Sequence, residues 1–150
     1  MRVRIEFTDE LPADEIVIRC KSGSGSAEKI KKAVENVSSR ETVIDGYKRG
    51  EQVFIQTDDI LFFETDGANV FAHTASDAYP YRVKQRLYEL EESLGKQFAR
   101  VSKSCILNIH YIASIKRNLT ASSLVCFRGS HKQVYVSRMY YKNLIRKLGN

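Results

Sequence analysis

Read from its first residue, the chain alternates between strand-like and helix-like patterning. Arg2–Phe7 places Val3, Ile5 and Phe7 on one side of an extended chain, and Ile16-Val17-Ile18 forms a second strand candidate across the loop DELPAD. The stretch KSGSGS then leads into residues 27–37, where Ile30, Ala33, Val34 and Val37 form one helical stripe with Ser26 as its N-cap. This segment, ending near Arg40, is too short for an ordinary domain and reads as a small β-β-α appendage. From Gln52 the pattern becomes strand-rich: Val53–Ile55, Ile60–Phe63 and Val70–Ala72, with Asp66-Gly67 as a turn between the last two. Val83, Leu87, Leu90 and Leu94 then repeat at helical spacing, with Gly95 behind them, which predicts a helix over 81–94. Strands follow at Phe98–Val101, Cys105–Ile109, Ile112–Ile115, Leu124–Phe127 and Val134–Val136. The last helix runs from a Ser137 cap to Leu148, with Tyr141, Leu144, Ile145 and Leu148 inward. The expected fold is mostly β (α+β), with residues 1–45 as a small dimerisation or regulatory segment and 46–150 as the main domain.

One break in this patterning stands out. In RVSKSCILN (residues 100–108) the run Cys105-Ile106-Leu107 belongs in a core, yet Ser102-Lys103-Ser104 interrupts the alternation begun at Val101. A basic residue between two small polar ones suits a projecting turn, not a strand interior.

Composition alters this picture mainly through charge. With 43% hydrophobic and 28% charged residues the chain has material for a core, and no apolar run reaches membrane-spanning length. The start, MRVRIEF, alternates as a strand does instead of forming the apolar stretch of a signal peptide. Cys20, Cys105 and Cys126 are unpaired by spacing, which predicts reduced thiols and a cytoplasmic setting. Residues 93–150 hold 11 Lys or Arg and no Asp or Glu, whereas residues 1–92 hold 13 basic and 18 acidic residues; +11 and −5 sum to the net +6. A carboxylate-free tract of this length implies an anionic partner, of which a nucleic-acid backbone is the commonest.

Enzymatic chemistry finds no foothold. SGSGS lacks the Lys of a phosphate loop and the third glycine of a dinucleotide fingerprint. His73, His110 and His131 are scattered, Asp58-Asp59 has no base or metal partner in sequence, and Cys105 lies in an apolar run. No cofactor, metal or small-molecule substrate is expected. The basic half is more informative: Lys103 in the serine turn, Lys116-Arg117 at a strand end, Arg128 and Lys132 around a turn, and Ser137-Arg138 at a helix start form a candidate nucleic-acid face.

At this point the residues resemble a family. Asp59-Ile60-Leu61-Phe62-Phe63-Glu64, the pattern Leu87-x-x-Leu90-Glu91-x-x-Leu94, Phe98-x-Arg100-Val101-Ser102-Lys103-Ser104-x-x-x-Asn108 and Val136-Ser137-Arg138 are similar to the LytTR-type DNA-binding domain over about residues 51–148. The resemblance implies elongated, stacked antiparallel sheets without a helix-turn-helix, and loops entering successive major grooves of double-stranded DNA, usually as pairs on direct repeats that bend the duplex. It implies base contacts from Asn69 in the Gly67-Ala68-Asn69 turn, from Lys103 and from Arg138. Arg100, Ser102, Ser104 and Asn108 would support the loop or touch phosphate, and Lys116, Arg117, Ser137 and Lys142 would serve the backbone or the loops. Lys132 and Lys147 are expected to neutralise phosphates. Lys103 stands where relatives often carry Asn or Arg, so its base preference stays open, and the Asn69 turn is short for the family. About 45 residues before the domain are too few for a phospho-acceptor receiver, which points to regulators of the receiver-less kind, acting as homodimers and open to control by a protein partner.

Two other readings stay open at this level. An RNA-binding module would use Tyr135, Tyr140 and Tyr141 as stacking platforms. A protein-interaction adaptor would work through residues 1–40, the basic half being only its support.

Overall fold

The computed structural model of the chain describes residues 16–21, 23–38 and 43–149. It divides into two compact units, Met1–Ser38 and Ser39–Asn150. In the first, helix α1 spans Ser26–Ser38 and half-buries Ala27, Ile30 and Val34, positions at i, i+3 and i+7. Ile16-Val17-Ile18 is not a strand: it has no partner strand among the described residues, and its side chains are 67%, 64% and 38% exposed. The expected strand at Arg2–Phe7 lies outside the described residues.

The second unit is built from two antiparallel sheets. A seven-stranded sheet has the order β2-β1-β5-β4-β3-β7-β6, formed by β1 (Val43–Lys48), β2 (Glu51–Gln56), β3 (Ile60–Asp66), β4 (Asn69–Thr74), β5 (Tyr81–Val83), β6 (Phe98–Ser102) and β7 (Cys105–Asn108). A three-stranded sheet has the order β10-β9-β8, with β8 (Ile112–Lys116), β9 (Ser123–Phe127) and β10 (Gln133–Val136). Helix α2 (Leu87–Ser93) buries Leu87 and Leu90, and helix α3 (Arg138–Leu148) packs on β6 through Leu144. The seven-stranded sheet separates two apolar clusters. One gathers Ile44, Ile60, Phe63, Ala72 and Leu90; the other gathers Leu61, Phe62, Val101, Leu107, Val125, Val136 and Leu144. This is why Ile60–Phe63 reads as a continuous apolar run: β3 is buried on both faces.

Two expectations need correction, and one strand was missed. The helix predicted over 81–94 is shorter, because Val83 is buried by pairing as β5 between β1 and β4. Only Leu87–Ser93 coils, and Leu94 is already extended (φ −75°, ψ 153°). The 4-3-4 spacing joined one strand residue to a two-turn helix. On α3, Leu144 and Tyr141 pack inward, but Ile145 and Leu148 are 41% and 40% exposed. Strand β1 escaped the sequence pattern because Asp45-Gly46 interrupts it. Gly46 is required there: an added Cβ would fall 2.5 Å from Ile55 Cδ1 and 3.0 Å from Tyr81 Cβ.

Candidate nucleic-acid interface

Three separate segments are brought to one end of the second unit by backbone pairing alone. The β3–β4 hairpin closes at Asp66↔Asn69 through a two-residue turn, with Gly67 first at φ +60°, a conformation that favours glycine. The adjacent β6–β7 hairpin closes at Ser102↔Cys105, leaving Lys103-Ser104 as its turn. Thr65 N–H donates to Ser104 O at 2.9 Å and locks the two turns side by side. The β6 ladder slips between Arg100 and Ser102, so Val101 is a bulge residue whose carbonyl is left over. Ser137 N–H takes it at 2.9 Å, which sets the start of α3 against the same turn. The end of β8 joins them, since Lys116 pairs with Leu124, Leu124 with Tyr135, and Ser123 with Val136. Asn69, Lys103, Lys116, Arg117 and Arg138, far apart in sequence, are exposed residues of these converging segments.

The Lys103 turn is braced from below. Arg100 Nε donates to Ser102 O at 2.6 Å, one terminal nitrogen donates to Lys103 O at 2.6 Å, and the other contacts Glu91 Oε2 on α2 at 2.8 Å. Ser104 N–H donates to Ser102 Oγ at 3.2 Å, and the two serine hydroxyls are 3.2 Å apart. Arg100, Ser102 and Ser104 therefore hold the turn's shape while Lys103 projects from it. Asn108 lies at the other end of β7, roughly 10 Å from Cys105 at about 3.3 Å per residue. It is 1% exposed; its Nδ2 donates to Ile60 O (3.0 Å) and its Oδ1 accepts from His110 N–H (3.1 Å). The Ile60 bond belongs to the buried frame, and the His110 bond is half-buried at the start of the following turn.

Several basic residues are spent on the protein's own carbonyls, which the charge count did not reveal. Lys132 Nζ donates to Thr74 O at 2.8 Å and Asp77 O at 2.5 Å, tying the β9–β10 turn to the end of β4. Lys147 Nζ donates to Phe98 O at 2.6 Å and closes the end of α3 onto β6. Burial lowers the pKa of both amines below the usual lysine value. Arg128 donates to His110 O and, at 3.1 Å, to Ile112 O. Lys132 and Lys147 are thus staples, and their expected role as phosphate neutralisers is corrected. By contrast, Lys103, Lys116, Arg138 and Lys142 are exposed and form no ion pair among the described residues. Arg117 lies 5.0 Å above the Tyr141 ring of α3, a stacking contact that leaves its charge unneutralised.

Ser137 occupies the N-cap position (φ −67°, ψ 153°), but its side chain makes no capping bond. Its Oγ is buried without a hydrogen-bond partner among the described residues, and its carbonyl instead accepts from Tyr140 and Tyr141 N–H at 3.1 Å each. The first turn of α3 contains no acidic residue to offset the helix dipole. An arginine in that turn is unfavourable for the helix and suited to an anion outside it. His73, read as a surface or groove residue, is partly buried. It stacks on Phe62 (ring centroids 4.2 Å apart), and its Nε2 is 2.7 Å from Glu64 Oε1. Burial lowers its pKa, against the raising influence of Glu64. Of the tyrosines considered for base stacking, Tyr135 is exposed, but Tyr140 and Tyr141 are half-buried. No group of three or more metal-binding side chains occurs among the described residues, and none of their helices is long and apolar enough to cross a membrane.

Known proteins share this architecture and sequence. A LytTr DNA-binding domain from Bacillus cereus superposes with a TM-score of 0.66, at 20% identity, over 73% of this chain and 99% of its own. An uncharacterized HTH-type transcriptional regulator of Staphylococcus aureus (strain NCTC 8325) is 32% identical over 116 residues, covering 77% of this chain and 76% of the relative. Its counterpart in strain MRSA252 is 31% identical over the same length. The class in those names does not describe this fold: α2 and α3 are separated by β6–β10, so no helix-turn-helix occurs among the described residues. The profile of the LytTr DNA-binding domain matches residues 50–149, two-thirds of the chain. The chain belongs to the LytTr DNA-binding domain family.

Proposed function

We propose that this DNA-binding regulator controls transcription from the cytoplasm by setting its converging turns into successive major grooves of a specific duplex. Lys103 and Arg138 read base edges, and Asn69 adds a contact from the neighbouring turn. Lys116, Arg117 and Lys142, with the first turn of α3, hold phosphates. Two copies bound side by side on a direct repeat would double the contact length, with residues 1–45 available for pairing or for a regulatory protein. The observation that carries this reading is the convergence of the three segments through the Thr65–Ser104 and Ser137–Val101 hydrogen bonds. The bracing of the Lys103 turn by Arg100 also favours it, since a preorganised turn loses less entropy on binding.

RNA stacking is disfavoured, because Tyr140 and Tyr141 are half-buried and Arg117 covers Tyr141. Competition between duplex DNA and single-stranded RNA at one salt concentration tests the choice. Preferential retention of duplex supports the proposal, and preferential retention of RNA overturns it. Deleting residues 1–38 should leave duplex binding by the remaining unit measurable; its complete loss with fold intact would favour the adaptor reading.

A further inference from the structure

Replacing the predicted helix over 81–94 by β5 changes which side chains share a face. On a helix, Arg82, Lys84 and Arg86 would be turned about 200° from one to the next. In an extended segment, alternate residues point the same way. Arg82 lies in β5, Lys84-Gln85 form a bend directly after it, and Arg86 is again extended (φ −80°, ψ 158°); across the bend exposure still alternates, with Val83 and Leu87 buried and Gln85 half-buried between the three basic residues. All three are exposed, and none forms an ion pair among the described residues.

Sheet register locates this run. Val70 pairs with Val83, so one residue beyond that pair stand Asn69 on one strand and Lys84 on the other. Cross-strand neighbours of this kind are about 5 Å apart. Lys84 Nζ sits 4.7 Å from the centroid of the Tyr47 ring, which braces the ammonium on the outer sheet face and leaves its charge available. Asp45 on β1, next to the Gly46↔Val83 pair, has its carboxylate engaged by Gln52 Nε2 at 3.1 Å.

We infer that Arg82, Lys84 and Arg86 form a phosphate-binding flank beside the β3–β4 turn, a further DNA-contacting segment outside the acid-free half of the chain. This rests on the proposed placement of DNA at the converging turns. The site takes the sugar-phosphate backbone of duplex DNA, independent of sequence, so random-sequence duplex is a sufficient probe.

The test compares the slope of log K against log salt for the full chain and for the triple variant Arg82→Gln, Lys84→Gln, Arg86→Gln. At about 0.9 per phosphate contact, the slope should become shallower by roughly 2–3 in the variant. The charge-conserving triple Arg82→Lys, Lys84→Arg, Arg86→Lys should keep the original slope, which excludes misfolding as the cause. Lys96→Gln with Arg146→Gln removes exposed charge near the opposite end of β6, where Lys147 reaches Phe98 O, and should also leave the slope unchanged. An unchanged slope in the first triple, with wild-type protein binding duplex normally, overturns this inference alone. Failure of the wild-type protein to bind duplex overturns it together with the proposed function.

Discussion

Substituting Arg100 by glutamine separates two roles that a basic residue beside a DNA-reading turn can play. Its side chain is 15% exposed, and the guanidinium donates to Ser102 O and Lys103 O, both at 2.6 Å, while contacting Glu91 at 2.8 Å. Two charge-assisted bonds contribute about 1.5–3 kcal/mol each when buried. Both carbonyls belong to a surface turn that water can reach after substitution, so the low end applies. The ion pair to half-exposed Glu91 adds at most about 1 kcal/mol. The expected loss of unfolding free energy is therefore about 3–4 kcal/mol, read from urea denaturation with an unchanged m-value. DNA affinity should fall as well, by roughly tenfold or more, because binding must then order turn residues at about 1–2 kcal/mol of backbone entropy each. The salt slope should stay the same, whereas loss of a direct phosphate contact would make it shallower by about 0.9. Arg100→Lys should not rescue, since one ammonium cannot reproduce the fork that spans two carbonyls and a carboxylate. Wild-type stability combined with a shallower slope would refute the bracing role and reassign Arg100 to phosphate.

Lys132→Met should destabilise by about 1–3 kcal/mol through the carbonyls of Thr74 and Asp77, with no change in the salt slope of DNA binding. Asn108→Ala, which strands the buried Ile60 O and frees the half-buried His110 N–H, should cost about 1–3 kcal/mol in thermal or urea unfolding. His73 has a folded-state pKa below its unfolded value of 6.5, so the unfolded chain takes up this proton first as pH falls. Stability should therefore decline as pH drops below about 6.5 until the folded-state pKa is reached, and His73→Phe, which keeps the stack on Phe62, should flatten that part of the profile.

Much of this architecture is legible in the sequence where pattern and tertiary environment agree. Cys105-Ile106-Leu107 is apolar because β7 is buried, and Ser102-Lys103-Ser104 breaks the pattern because the hairpin turns there. Asp66-Gly67 marks the neighbouring turn for the same local reason. The misread segment, 81–94, shows the limit of periodicity: Val83 is apolar because it is paired between two strands, and Leu87 and Leu90 because a short helix covers the core. The same four residues fit a single helix equally well. Charge counting failed differently. Lys132 and Thr74, 58 residues apart, meet only in the folded chain, and a lysine bonded to a main-chain carbonyl leaves no mark on the partner's sequence. Arg82, Lys84 and Arg86 were hidden by averaging with the acidic residues of the first 92 positions. Arg100 beside its serines was legible as a member of the turn, but its choice of carbonyls was not.

Base reading by Lys103 and Arg138 is measured by selecting preferred sequences from a random duplex pool, using the wild-type chain alongside Lys103→Ala and Arg138→Ala. Wild-type protein should enrich one motif. Each variant should bind the best wild-type site about 1–3 kcal/mol more weakly and lose preference at its own base position while keeping the rest. A wild-type chain that enriches no motif, or variants that both enrich the unchanged motif, would contradict the assignment of these two side chains to base reading.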